Sequence, residues 1–206
     1  VQVTHPDLAA NIWVNPSEIP GNGVDDDGNG YVDDVNGYDF VNNDGNPDDD
    51  NGHGTACSGI VAGVGDNSIG VSGVAPKARV MAIKCGRSDG YFFDSWTVPA
   101  YIYAADMGAR VFSMSYFSDR VSQAEEDGIN YAAAHNVLPV AAAGNDSTVY
   151  SYYPGAYEQV LSVAAVDTGL NKAGFSNWGS WVDVAAPGVS LTTTARGSGY
   201  TGGFAG

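Results

Sequence analysis

The sequence predicts an α/β fold, a three-layer sandwich built on a mainly parallel sheet, and two observations predict it. Apolar runs of strand length alternate with longer stretches of helical character along most of the chain. Two of those runs, Val137 to Ala142 (VLPVAA) and Val160 to Val166 (VLSVAAV), are apolar without a break, as expected of strands covered on both faces. Strands that alternate with helices call for right-handed crossovers and a parallel sheet.

The elements follow in order. Gly54 to Val64 is rich in small residues and reads as a buried helix. Ala78 to Lys84 (ARVMAIK) is a short strand. Asp94 to Met107 is a helix, with Trp96, Ala100, Tyr103 and Ala104 on one face. Arg110 to Met114 (RVFSM) is a strand, and Val121 to His135 a helix that ends near Asn136. The two unbroken apolar strands come next, then a short strand from Val182 to Ala185 ahead of Pro187-Gly188. Sites in such sheets lie beyond the carboxyl ends of the strands. The loops there are Ser115-Tyr116-Phe117 and Gly144-Asn145-Asp146. No linker or second domain is visible, and 206 residues with 44 % hydrophobic content suffice for one sizeable core. No repeat period, transmembrane run or signal peptide is visible either.

The net charge of −16, from 24 acidic and 8 basic residues, argues against nucleic acid as a partner. Ten of the 24 acidic residues crowd between Asp25 and Asp50, interleaved with Gly and Asn. Within it, Asp25, Asp27, Asn29, Gly30 and Asp33 fall at positions one, three, five, six and nine of an EF-hand loop. Position twelve is Asn36 rather than the bidentate Glu, so the match is partial. So many carboxylates in one stretch would repel one another unless a cation joined them. The two cysteines, Cys57 and Cys85, form one disulfide or remain two thiols; their number does not decide.

Of the three histidines, His5 sits in a turn before Pro6 and His135 at a helix end, so both read as structural. His53 keeps different company. The segments His5-Pro6-Asp7-Leu8, Asn51-Gly52-His53-Gly54-Thr55, Gly70-Val71-Ser72-Gly73-Val74-Ala75-Pro76, Ser113-Met114-Ser115, Ala142-Ala143-Gly144-Asn145, Tyr153-Pro154, Phe175-Ser176-Asn177 and Ala186-Pro187-Gly188 occur in that order. Taken together, the chain resembles the subtilisin-like serine proteases (subtilases, peptidase family S8) over essentially its whole length.

That resemblance implies an Asp-His-Ser triad in chain order, with His53 as general base and Asn145 as side-chain oxyanion donor. It places the acid in an Asp-Thr/Ser-Gly motif just upstream of Val1. It places the nucleophile in a Gly-Thr-Ser-Met motif that Gly203-Phe204-Ala205-Gly206 approaches. Residues 1–206 are therefore expected to be a single peptidase domain truncated at both ends, inactive alone. Asp167-Thr168-Gly169 spells the acid motif but lies C-terminal to His53, where the family has a surface loop. Ser176, Ser190 and Ser198 lack the nucleophile's context.

Substrate is expected to add as a strand beside Ser115-Tyr116-Phe117, with Ala142-Ala143-Gly144 as the other wall of the pocket. Here Phe117 replaces the family's usual Gly, a bulky residue expected to narrow the pocket, and Ser113 replaces its Asn; Ala56 replaces a common His. The resemblance also implies calcium sites. One comprises the Asp7 carboxylate, the Asn67 amide oxygen and the carbonyls of Gly65, Ile69 and Val71. A second, similar to the loop of thermitase-like members, comprises Asp39, Asn42, Asp44, Asn46 and Asp48. The expected protein is an extracellular, monomeric, Ca2+-stabilised endopeptidase. Its partners are polypeptide substrates and a propeptide, with no role for membrane. The rival reading is a non-catalytic calcium- or peptide-binding pseudoprotease.

Overall fold

The computed structural model describes residues 1–206. A short 3-10 turn (Ala9–Asn11) is followed by β1 (Gly37–Asp39), α1 (His53–Ala62), β2 (Ala82–Lys84), α2 (Asp94–Asp106), β3 (Val111–Met114), α3 (Gln123–Ala134), β4 (Leu138–Ala142), β5 (Leu161–Val166), β6 (Val184–Pro187), β7 (Leu191–Ala195) and β8 (Gly199–Phe204). Every strand and helix anticipated from the pattern is present, within a few residues. Two compact units result: Val1–Ala100 with Thr192–Gly202, and Tyr101–Leu191 with Gly203–Gly206.

In the first unit β1 and β2 pair in parallel, Gly37 opposite Ala82 and Asp39 opposite Lys84. The β7–β8 hairpin packs on α1 through threonines. Thr193 and Thr194 are fully buried and donate their hydroxyls to the Ala56 and Thr55 carbonyls at 2.6 and 2.7 Å. This explains the small residues of α1: a Cβ at Gly59 would lie 2.3 Å from Thr194 Oγ1, so only glycine lets the helix come this close. His5 is fully buried; Nε2–H donates to the Gly199 carbonyl at 2.9 Å and Nδ1 accepts the Asp7 N–H. It is a structural residue, as expected.

The second unit holds a four-stranded parallel sheet in the order β3-β4-β5-β6, in register Val140 opposite Leu161 and Val163 opposite Val184. Burial along β4 alternates, with Leu138 47 % exposed and Ala141 2 %. The unbroken apolar run is thus covered on one face more fully than on the other, a departure from the expected two-sided burial. Helix α3 begins at Ser122, whose hydroxyl accepts from Glu125 N, with Glu125 and Glu126 favourable at the positive helix end. It ends in a Schellman motif: Asn136 has φ +63°, and Val137 N and Asn136 N donate to the carbonyls of Ala132 and Ala133. His135 closes this turn, Nδ1 lying 2.7 Å from the Tyr131 carbonyl.

Candidate active site

In the first unit His53 is the first residue of α1, with its side chain exposed. The chain reaches it through Asn51, whose Oδ1 accepts the His53 N–H, and through Gly52 at φ +112°. The clasp is Asp49. Its Oδ1 accepts from Asn51 N and Gly52 N, and its Oδ2 from both the N–H and the hydroxyl of Thr55. Burial pushes this carboxyl up, but the Thr55 and Gly52 donors outweigh it and hold the pKa at about 2. Asp49 therefore fixes the first turn of α1 and with it His53. Cys57, one turn on, brings its thiol to 3.6 Å from His53 Nε2. The two cysteines are not joined in a disulfide.

In the second unit Ser115-Tyr116-Phe117 leaves β3 and Ala143-Gly144-Asn145 leaves β4, as the topology requires. Asn145 is exposed. The loop under it hangs on Asn177, which is fully buried. Asn177 Nδ2 donates to the Ala143 carbonyl, its Oδ1 accepts from Asp146 N and Thr148 N, and its own N–H donates to the Gly144 carbonyl. Gly144 must be glycine: φ is +102°, and a Cβ would lie 2.5 Å from Asn177 Nδ2 and 2.8 Å from Tyr152. Gly206 N–H donates to the Gly188 carbonyl, and a Cβ at Gly206 would stand 3.7 Å from Asn145 Nδ2. The segment after β8 thus ends beside the Asn145 amide.

Phe117 stacks on Tyr152, centroids 5.2 Å apart, and Tyr152 in turn crowds Gly144. The two expected pocket walls, Ser115-Tyr116-Phe117 and Ala142-Ala143-Gly144, are joined by this aromatic pair. Ser118 and Tyr153 exchange backbone hydrogen bonds behind it. Tyr116 bonds Tyr101 through their hydroxyls, and Tyr101 donates to Glu125 Oε1. Tyr157 also reaches Glu125, and burial followed by the Glu125 charge pushes its phenol up to about 12 although the Ser122 backbone bond opposes this. Asp167 of the Asp-Thr-Gly sequence spends its Oδ1 on Gly169 N and Asn171 N in its own exposed turn. Ser176 is buried and bonded to Ala165 N and the Asn177 carbonyl.

The expected calcium ligands fare differently. Asp7 is fully buried; it accepts Asn67 Nδ2 at 2.6 Å and Val71 N at 2.8 Å. The 65–71 loop is thus wrapped on Asp7, but Asn67 turns its Oδ1 to Ile69 N rather than toward the carboxylate. In the second loop Asp39 accepts Val41 N and Asn42 N on Oδ1, and Asn42 Nδ2 and Lys84 Nζ on Oδ2. Asp44 Oδ1 accepts Asn46 N, and Asn46 Oδ1 accepts Asp48 N. In the EF-hand-like loop the carboxylates close turns of their own. Asp25 turns its oxygens onto the N–H groups of Gly28, Asn29 and Gly30, and Asp33 onto Asn22 N and Gly23 N. Only Asp27 of that set joins a cluster of carboxylates, and its companions are Glu18 and Asp34. The physical reason is local: in a glycine-rich loop the short Asp side chains bond nearby N–H groups first.

Comparison with known proteins agrees with the motifs. The sequence model of the Subtilase family matches residues 1–206. The chain belongs to the subtilase family. This subtilase is 38 % identical over 202 residues to thermitase from Thermoactinomyces vulgaris, covering 97 % of this chain and 64 % of that protein. It is 42 % identical over 162 residues to a thermophilic serine proteinase from Bacillus sp. (strain AK1), covering 79 % of this chain and 40 % of that one. The crystal structure of a cold adapted subtilisin-like serine proteinase superposes with a TM-score of 0.80 at 24 % identity, over 100 % of this chain and 66 % of that one. The subtilase fold, an α/β sandwich, is thereby established. The chain spans from 40 % to 66 % of the length of these relatives. No helix is long and apolar enough to cross a membrane.

Proposed function

We propose that these residues belong to a calcium-stabilised, extracellular serine endopeptidase that cleaves polypeptides through an acyl-enzyme. His53 takes the proton of the nucleophilic serine and returns it to the leaving amine. Asn145 Nδ2 donates to the oxyanion. The acid and the serine are supplied by residues outside these 206, so the 206 residues alone do not form an acyl-enzyme. The enzyme works as a monomer, with a propeptide as a further partner. The observation that carries this reading is that His53 and Asn145 stand exposed while buried neighbours, Asp49 and Asn177, are wholly spent on holding their loops.

Substrate lies as an added strand along Ser115 to Phe117. The Phe117–Tyr152 stack narrows the pocket for the side chain before the scissile bond, which favours small residues there. Calcium binds the Asp7–Asn67–Val71 loop, with the Gly65, Ile69 and Val71 carbonyls, once Asn67 turns its amide. The 39–48 loop would hold a second ion through Asp44, Asn46 and Asp48, the Asp39 carboxylate staying on Lys84.

The test is steady-state kinetics on a peptide substrate, with protein made from the complete coding sequence. Asn145→Ala should lower kcat by roughly 10²–10³, the established magnitude for this donor in subtilisins, with little change in KM. His53→Ala should abolish acylation. An Asn145→Ala enzyme within threefold of wild type would sink the assignment.

A further inference from the structure

We infer that Glu18, Asp27 and Asp34 form a cation site, and that its occupant is a calcium ion. One oxygen from each of the three lies within 4.8 Å of the other two. Their neighbours in the loop are already used. Asp25 and Asp33 hold backbone turns, and Asp26 Oδ2 accepts from Ile19 N and Asn22 Nδ2. Asp27 Oδ1 likewise accepts Asn29 N, while its Oδ2 shares two amides with Asp34.

Two amides brace the cluster. Asn15 Nδ2 donates to Asp27 Oδ2 and Asp34 Oδ1, both at 2.9 Å. Asn29 Nδ2 donates to Asp27 Oδ2 and Asp34 Oδ2 at 3.2 and 3.0 Å. Each amide bridges the two aspartates and holds them together against their mutual repulsion. Asn15 is 2 % exposed and Asp34 is fully buried, so this side of the brace is interior, while Asp27 stands at the surface.

The decisive group is Glu18. It is 7 % exposed. Its Oε1 accepts Asp26 N at 2.9 Å, but its Oε2 is buried with no hydrogen-bond partner at all. A buried carboxylate oxygen left bare is costly, and this one belongs to a carboxylate that faces two others. A bound cation removes both the bare oxygen and the repulsion. The sequence supplies no internal substitute nearby in the chain, since no Lys or Arg precedes Lys77. The donors are all oxygen, which selects a hard cation. Three carboxylates on irregular loops suit calcium's large, flexible shell better than magnesium's rigid octahedron. The inference stands apart from the peptidase reading and from the Asp7 and Asp39 loops, with which it shares no residue.

The test is calorimetric titration of chelator-treated protein, made from the complete coding sequence, with CaCl2, with thermal melts in calcium and in chelator. Glu18→Gln keeps size and shape, and Asp27→Asn alters an exposed member in case the first variant folds poorly. Asp7→Asn reports on the other loop. Each of the first two variants should bind one calcium fewer than wild type and lose part of the calcium-dependent rise in Tm, while its Tm in chelator stays at or above the wild-type value. Wild-type stoichiometry in both variants would overturn the site. Loss of an equivalent in Asp7→Asn alone would overturn it while leaving calcium at the other loop intact. No calcium bound by the wild-type chain would overturn both.

Discussion

Asp39 and Glu18 are buried carboxylates of the same unit, 2 % and 7 % exposed, yet their surroundings offset the charge in opposite ways. Asp39 meets Lys84 Nζ at 2.8 Å, and Lys84, itself 7 % exposed, also reaches Asp50 at 3.1 Å. Burial alone would push the Asp39 carboxyl up and the Lys84 ammonium down. Their mutual bond reverses both, lowering the acid and raising the base. Two backbone N–H groups and the Asn42 amide fill the rest of Asp39. Glu18 has one backbone donor and one bare oxygen. Equal acidity in the sequence thus conceals two designs, one self-contained and one that waits for an ion. Chelator should leave the Asp39–Lys84 pair intact and strip Glu18 of its counter-charge.

The comparison breaks most readily at Lys84. Lys84→Met leaves Asp39 buried and unpaired, and should destabilise the fold by about 3–5 kcal/mol in urea denaturation. The double variant Lys84→Met/Asp39→Asn should recover much of that loss. A Lys84→Met chain within about 1 kcal/mol of wild type would mean the pair contributes as little as an exposed one.

Glu18→Gln sharpens the other side. A calcium ion at a hundred times its dissociation constant stabilises the native state by about 2.7 kcal/mol, so in saturating calcium the variant should fall short by an amount of that order. In chelator the gap should close. A gap of the same size in both buffers would show that Glu18 acts through packing rather than through a cation.

A third carboxylate, Asp49, is offset chiefly by hydrogen bonds from Thr55 and Gly52, with the Val1 ammonium adding to them. Its folded pKa of about 2 lies below the ordinary 3.8. The stability it contributes is present above pH ~4 and is lost as pH falls toward 2, about 2 kcal/mol in all. Asp49→Asn should flatten that part of the stability-against-pH curve and lower kcat by misplacing His53. An unchanged acid limb would remove Asp49 from the account.

The smallest effect on stability belongs to the pocket. Phe117→Gly gives up the stack on Tyr152 and should cost about 1 kcal/mol. It should raise kcat/KM for substrates with a large residue before the scissile bond relative to small ones. No change in that ratio would place the Phe117 ring outside the pocket.

Much of this was legible in the sequence because period and punctuation were strong. Asn136 marks the end of α3, and the apolar runs of β4 and β5 need no context. Strand β1 escaped notice because Gly37-Tyr38-Asp39 lies inside the acid stretch without an apolar run of its own. The β7–β8 hairpin was missed for a similar reason: LTTTA and GYTGGF are polar or glycine-rich, and only packing against α1 explains their threonines. Positions of His53 and Asn145 followed from motif and topology. The residues that hold them, Asp49 and Asn177, did not, since their bonds depend on loops closing in space. An Asp six residues before a Thr at a helix start was the available signal. The ligand set around Glu18 was the hardest to read. The EF-hand register counts along the chain, whereas local N–H groups had already claimed Asp25 and Asp33.

The most direct test of the central claim is the intact mass of protein made from its complete coding sequence, before and after a fluorophosphonate probe, for wild type and His53→Ala. The account predicts one adduct per chain in the wild type and none in the variant. No adduct in correctly folded wild type, or an adduct that persists without His53, would contradict it.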